Sequence, residues 1–259
     1  MSQLLVENES RELLDDVQCY WTSRAASYSN LNAAELANAK RDAWLQKINE
    51  YAPRKPVLKV LDIGSGPGFF AVMMALAGHQ VTAVDITQAM LDQARANAAR
   101  YGAEVNFVLS DVHTLPFADA RFDLIVTRNV TWNLDDPQRA YEEWHRVLAP
   151  GGRLINFDAN WYLQLFDEQS RLGYLADRAN ACYLGLDDHY VNTDTVAMEN
   201  IARQLPLSRE RRPQWDTQAL LRCGYRKIML DTRVGDELWD EAEKVNYAST
   251  PMFLICAEK

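Results

Sequence analysis

The sequence predicts an α/β protein: a seven-stranded, mostly parallel sheet with helices on both faces, preceded by N-terminal helices and interrupted after the fifth strand by a helical lid. Short apolar strand-like runs alternate with helical segments from Val57 onward. A glycine-rich turn joins the first run to the helix after it, and the alternation lapses between Ala159 and Pro213 before it returns. Alternation of this kind implies parallel pairing, because parallel neighbours need a crossover and the crossover helices cover both faces of the sheet.

Taken in order, Glu9 to Ala26 places Leu13, Leu14, Val17, Tyr20 and Trp21 on one side of a helix, and Leu31 to Tyr51 forms a second helix stopped by Pro53 and Pro56. VLKVLDI, VTAVDI, NFVLSDV, FDLIVTR and GRLINFD are the first five strands, with helices over Phe69 to Ala77, Thr87 to Tyr101 and Pro137 to Leu148 between them. DTQALLRCGY then reads as a helix ending near Gly224, RKIMLDTRV as a strand and PMFLICAEK as the last strand. The expected organisation is a helical cap over residues 1–52, a ligand-binding core over 53–158, a helical lid over 159–213 and the remainder of the core over 214–259.

The chain has 259 residues, 48% of them hydrophobic and 24% charged, which suits a globular protein and argues against disorder. No apolar run reaches the roughly 20 residues of a membrane helix, and the first residues lack the basic and apolar regions of a signal peptide, so a cytoplasmic location without membrane contact is expected. Cys19, Cys182, Cys223 and Cys256 are scattered without any CxxC pair, which predicts reduced, mostly buried thiols and no zinc site or other metal. A net charge of −9, with no basic cluster beyond Arg209, Arg211 and Arg212, repels polyanions and points away from nucleic acid.

VLDIGSGPGFF carries the chemistry. Its glycines at 64, 66 and 68 stand between a buried strand and a helix N-terminus, where bare main chain and free N–H groups let a nucleotide-like ligand approach. The dinucleotide fingerprint GxGxxG needs glycine at position 69, which is Phe69, and no Gly-Lys-Ser/Thr of a Walker loop follows. GxGxG is satisfied instead. The pattern resembles motif I of class I S-adenosylmethionine-dependent methyltransferases, and HRVLAPGGRLI resembles the segment before strand five in their ubiquinone/menaquinone-type branch. The likeness covers Val57 to Gly152 and implies a Rossmann-like core.

That resemblance implies S-adenosyl-L-methionine as cofactor, with Asp62 near its methionine amino end and the main chain of Gly64, Ser65, Gly66 and Gly68 beneath it. Asp85, about twenty residues after the loop, is placed to accept hydrogen bonds from both ribose hydroxyls, with Ile86 and Met90 packing on the adenine. Asp111, at the end of strand three, receives the adenine amino group while Val112 donates from its backbone. Arg128, Asn129, Trp132 and Asn133 lie beside the departing methyl in the family's topology. The acceptor pocket is completed by Tyr20, Trp21 and Tyr28 from the N-terminal helices and by Trp161 and Tyr162 from the lid.

Methyl transfer rests largely on alignment and desolvation, and its candidate general bases here are His189, Asp158 and Tyr28. His79, His113 and His145 sit where surface residues usually do. The implied function is methylation of a small organic acceptor, with nitrogen or oxygen ahead of carbon as the atom modified. Alternatives are a catalytically silent cofactor-binding module, a C-methyltransferase of a quinone-like lipid, and a nicotinamide-dependent oxidoreductase, which Phe69 disfavours.

Overall fold

The computed structural model describes residues 2–186 and 193–259. Helices α1 (Ser2–Leu36) and α2 (Lys40–Tyr51) precede β1 (Lys59–Ile63), α3 (Phe69–Leu76), β2 (Gln80–Asp85), α4 (Gln88–Tyr101), β3 (Val105–Leu109) and β4 (Phe122–Arg128). Helix α5 (Pro137–Val147) and β5 (Leu148–Asp158) follow, then α6 (Glu168–Tyr183), α7 (Thr195–Ala202), α8 (Gln214–Arg222), β6 (Lys227–Asp231), α9 (Gly235–Leu238), α10 (Glu241–Asn246) and β7 (Phe253–Glu258). No described helix is long and apolar enough to cross a membrane.

One seven-stranded sheet runs in the order β3-β2-β1-β4-β5-β7-β6. The pairs from β3 to β5 are parallel, while β7 lies antiparallel to both β5 and β6, so the expected mostly parallel, Rossmann-like sheet is present. Strand order reverses at β1: the chain steps outward through β2 and β3, then returns to place β4 on the other side. The carboxyl ends of β1, β2 and β4 therefore meet over an open crevice.

Both faces of the sheet are buried, and successive side chains serve opposite layers. Val60, Leu124, Val126 and Leu254 pack with Trp44 and Ile48 of α2 and Phe69 to Met74 of α3. Leu61, Ile63, Ile125 and Ile255 pack on the other face with Tyr141 and Trp144 of α5 and Leu220 of α8. By the same alternation Asp62 takes the α2/α3 face, beneath the turn that leads into α3.

The N-terminal helices differ from expectation in their boundaries. Helix α1 is a single 35-residue element that reaches well past Ala26, since no Gly or Pro occurs before Pro53 and Ala33 to Leu36 are good helix formers. The break comes at Asn38, whose Oδ1 accepts the Lys40 N–H at 2.8 Å and restarts the chain as α2. Strand β3 also stops earlier than expected, at Leu109, so Asp111 lies in the turn beyond it. Cys19 and Cys182 are exposed and only Cys256 is buried, against the expectation of mostly buried thiols.

Candidate functional site

Three positive-φ glycines make the turn after β1, with φ of +60° at Gly64, +52° at Gly66 and +87° at Gly68. A Cβ on Gly64 would lie 2.4 Å from Val130 Cγ2, and one on Gly68 3.0 Å from Ala94 Cβ. Both are therefore required by neighbouring protein. At Gly66 the nearest side-chain atom would be Tyr28 Cε1 at 3.7 Å, and Gly66 borders a cavity.

Asp85, at the end of β2, fastens this turn. Its Oδ2 accepts the Gly66 N–H at 2.9 Å and its Oδ1 the Thr87 N–H at 2.8 Å. Burial pushes the Asp85 carboxyl above its usual range, and the Thr87 and Gly66 N–H groups draw it back. A second, unforeseen brace is Asn97 of α4, whose Nδ2 donates to the Pro67 carbonyl at 2.9 Å.

The cavity beside the turn is lined by Gly64, Gly66, Asp85, Ile86, Met90, Asp111, Val112, Arg128 and Asn129, together with Leu14, Val17, Trp21 and Tyr28 of α1. Asp85 and Asp111, distant in sequence, thus share one cavity, as do Ile86, Met90 and Val112. Asp62, Ser65 and Gly68, also expected on the ligand, do not border this cavity. Asn133, expected beside the acceptor, borders this cavity instead, because the turn after β4 carries it back over Val130.

Asp62 is buried, and its Oδ2 has no hydrogen-bond partner. Burial pushes its carboxyl up to about 8; the Ala71 N–H and the Arg128 charge pull it down, and Asp85 adds to the rise. In the unfolded chain this carboxyl ionises near pH 3.9. Between about pH 4 and 8 the unfolded state loses that proton while the folded state keeps it, so Asp62 lowers stability as pH rises through the window. An asparagine carries no such penalty. Asp62→Asn is expected to raise the stability of the ligand-free protein by several kcal/mol at pH 8 and to change it little at pH 4, measured by thermal unfolding at both values.

His113 overturns the expectation of a surface histidine. It is buried, its Nδ1 lies 2.6 Å from Asp111 Oδ1 and its Nε2 3.4 Å from Asp135 Oδ1. Burial works against a charged ring, but the hydrogen bond and the charges of Asp111, Asp135 and Asp136 outweigh it and raise its pKa. Asp111 accepts from the His113 backbone at 2.9 Å, and His113 itself lines the cavity. His79 and His145 are also partly buried rather than on the surface, and His145 packs edge-on against Tyr225.

Beyond Tyr28 and Trp21 opens a second cavity of about 460 Å³, bordered by Tyr20, Trp132, Trp161, Tyr162, Trp239 and Tyr247. Trp21, Tyr28, Arg128 and Asn129 line both cavities and mark their junction. Arg128, expected on the cofactor, directs its guanidinium to Glu35 of α1 through contacts of 3.2 and 2.9 Å, and stands 4.6 Å from the Phe69 ring centre.

Asp158 is not a base. It is fully buried; Arg212 Nη1 donates to its Oδ2 at 2.8 Å, the Trp132 N–H donates to the same oxygen at 3.0 Å and the Ala159 N–H to Oδ1 at 2.9 Å. The carboxylate anchors the turn after β4 rather than meeting substrate. His189 lies outside the described residues.

Residues 61–156 match the methyltransferase domain family. The architecture is similar to that of a solved putative S-adenosyl-L-methionine-dependent methyltransferase from Methanococcus maripaludis, with a TM-score of 0.58 and 22% identity over 92% of this chain and 93% of that one. Residues 61–156 thus resemble a methyltransferase domain, and the chain has the class I methyltransferase fold. Among curated proteins this domain is similar to a demethylmenaquinone methyltransferase of Thermus thermophilus, 36% identical over 43% of this chain and 52% of that protein. It is also similar to a malonyl-[acyl-carrier protein] O-methyltransferase of Pseudescherichia vulneris, 36% identical over 49% of this chain and 47% of that protein. The chain thus spans about half the length of these relatives, and the methyltransferase domain is the part they share.

The residues fit an adenosyl ligand in chemistry. Acidic groups stand at the ends of β1 and β2 and just past β3, and an orphaned carboxylate oxygen beside Arg128 suits an amino group. Space is the constraint. With α1 in place the first cavity measures about 100 Å³, whereas sites for ligands of this class are several hundred Å³. Helix α1 supplies four of the wall residues and is tied down by Gln18 Nε2 donating to the Ile86 carbonyl at 2.9 Å.

Proposed function

We propose that the protein is an S-adenosylmethionine-dependent methyltransferase whose acceptor is a small organic molecule seated in the aromatic cavity, with nitrogen or oxygen as the methylated atom. The observation that carries this reading is the junction of two cavities at Trp21, Tyr28, Arg128 and Asn129, one beside a glycine turn and acidic strand ends, the other walled by rings. When bound, S-adenosylmethionine supplies an electrophilic methyl on a sulfonium, the C–S electron pair returning to sulfur as the acceptor's lone pair forms the new bond.

The chain's own residues bind, align and exclude water. Asp85 keeps lone pairs for ribose hydroxyls beyond those given to Gly66 and Thr87. Ile86 and Met90 would flank the adenine, Asp111 would accept its amino group beside Val112, and Asp62, buried beneath the turn with a free carboxyl oxygen, would hold the methionine ammonium. Tyr28, at the junction, is the candidate to take a proton from the acceptor. The rings of the second cavity keep water from the sulfonium.

A second reading, C-methylation of a quinone-like ring, is favoured by the likeness to the Thermus thermophilus demethylmenaquinone methyltransferase. Turnover decides between them. Incubated with S-adenosylmethionine and separate panels of phenols, amines and quinols, the protein is expected to form S-adenosylhomocysteine above the acceptor-free rate with a phenol or an amine. Turnover with quinols alone supports the second reading, and cofactor binding without turnover on any panel supports a silent module.

A further inference from the structure

We propose that the acceptor is a flat anionic molecule, an aromatic acid, whose carboxylate pairs with Arg24 and whose reacting oxygen is held by the amide of Asn129. The proposal rests on the methyl-transfer reading and narrows its acceptor.

Aromatic walls suit two kinds of guest: a cation over the ring faces or a flat molecule stacked between them. The charges around the cavity choose between these. Its carboxylates are already committed. Glu35 is paired with Arg128, and Asp240 and Glu243 are paired with Lys40 Nζ at 2.7 and 2.6 Å. Asp240 and Glu243 also form the capping box that starts α10. A cationic acceptor would therefore meet no uncommitted acid among the described residues of the wall.

Arg24 is the opposite case. It borders the cavity from α1, half-buried, and among the described residues its guanidinium has neither an ion pair nor a hydrogen bond. It lies close enough to Tyr20 for its charge to lower that phenol against the rise caused by burial. A guanidinium beside rings, with its five donors unused, is a ready fork for a carboxylate.

Asn129 supplies the second contact. It holds a left-handed backbone, φ +58°, a conformation asparagine tolerates better than most residues, and its N–H donates to the Phe157 carbonyl at 2.8 Å. Two indoles hold the rest of it. Trp132 Nε1 donates to the Asn129 carbonyl at 2.9 Å and Trp161 Nε1 donates to Oδ1 at 3.2 Å. Because an indole nitrogen only donates, the Trp161 contact fixes which side-chain atom of Asn129 is oxygen. The amide NH2 is left over at the junction of the two cavities. Such a group offers hydrogens to lone pairs, which suits an acceptor oxygen and leaves another lone pair of that oxygen for the methyl.

The test is a fluorescence titration, reading the tryptophans of the cavity wall, in the presence of saturating S-adenosylhomocysteine. The probes share one phenol ring: 4-hydroxybenzoate is the anion, 4-hydroxybenzamide the neutral analogue and tyramine the cation. The acid is expected to bind at least roughly tenfold tighter than either analogue. Arg24→Gln should erase that preference while leaving the affinities for the neutral amide and for S-adenosylhomocysteine unchanged, and Arg24→Lys should keep part of it. Asn129→Ala should weaken all three probes alike. Equal or tighter binding of tyramine or the amide overturns the proposal. So does failure of the acid to bind at millimolar concentration, or survival of the preference in Arg24→Gln. Failure of S-adenosylhomocysteine itself to bind overturns instead the methyl-transfer reading beneath it.

Discussion

Arg212→Leu is expected to lower stability by about 3–5 kcal/mol, the usual cost of removing one partner from a buried ion pair. Arg212 Nη1 reaches Asp158 at 2.8 Å, and its Nε and Nη2 form a fork onto Asp216 at 2.8 and 2.7 Å. All three side chains are essentially inaccessible. Leucine fills part of the volume but leaves two carboxylates in a low-dielectric interior without their shared cation. Tyr141 and Asn156 extend the network, the Tyr141 hydroxyl donating to Asp216 at 2.7 Å and Asn156 Nδ2 donating to the Tyr141 oxygen at 3.0 Å. Thermal unfolding of a chain this size should shift down by about 10 °C. Arg212→Lys keeps the charge without the fork and should fall between. Neutralising the acids as well, in Arg212→Leu/Asp158→Asn/Asp216→Asn, should recover part of the loss, whereas an unchanged midpoint in the single variant would show the cluster to be marginal. Because Asp158 also holds the Trp132 N–H, the damage should reach the turn that carries Asn129.

Asp85→Ala is expected to produce the largest loss of ligand affinity. The wild-type carboxylate has two tasks: it ties the Gly66 and Thr87 N–H groups, and it presents acceptors at the end of β2. Hydrogen bonds to a charged group contribute about 1.5–3 kcal/mol each, so losing two to ribose hydroxyls removes at least roughly a hundredfold in affinity. Asp85→Asn retains one acceptor oxygen and should lose less. Removing the carboxylate relieves a disfavoured buried charge but leaves the Gly66 and Thr87 N–H groups without their acceptor, so Asp85→Ala should also lower stability by about 1–3 kcal/mol and Asp85→Asn by less.

Local features of the site were legible in the sequence. Gly64 and Gly68 are demanded by positive φ and by the approach of Val130 and Ala94, and Asp85 falls at a strand end that alternation alone locates. Features made by distant chain were not. Asp158 sits at the end of β5, where a base was expected, but its partner Arg212 arrives 54 residues later, at the far end of the insertion. Nothing local separates Arg212 from its neighbours, although Arg211 is exposed beside Asp167 and Arg209 stacks on Phe166. His113 has the same history: Asp111 is adjacent in sequence, yet burial comes from the turn that brings Asp135 over it. Arg128 looked free for a ligand because its partner Glu35 lies at the far end of α1, past the point where the helix was expected to stop.

Asp62, a carboxyl held near neutrality beneath the glycine turn, costs stability in the free protein and gains a partner when an ammonium arrives. Stability given up at a binding site in this way is ordinary for proteins that act on ligands. Helix α1 forms one wall of the same cavity, through Leu14, Val17, Trp21 and Tyr28.

An adenosyl ligand resting on the acidic ends of β1 and β2 beneath α1 should show itself in calorimetric titration with S-adenosylhomocysteine: one saturable site per chain in the wild type, and an affinity at least about a hundredfold lower in Asp85→Ala. No heat and no thermal shift in the wild type at millimolar ligand, or wild-type affinity in Asp85→Ala, would contradict that placement.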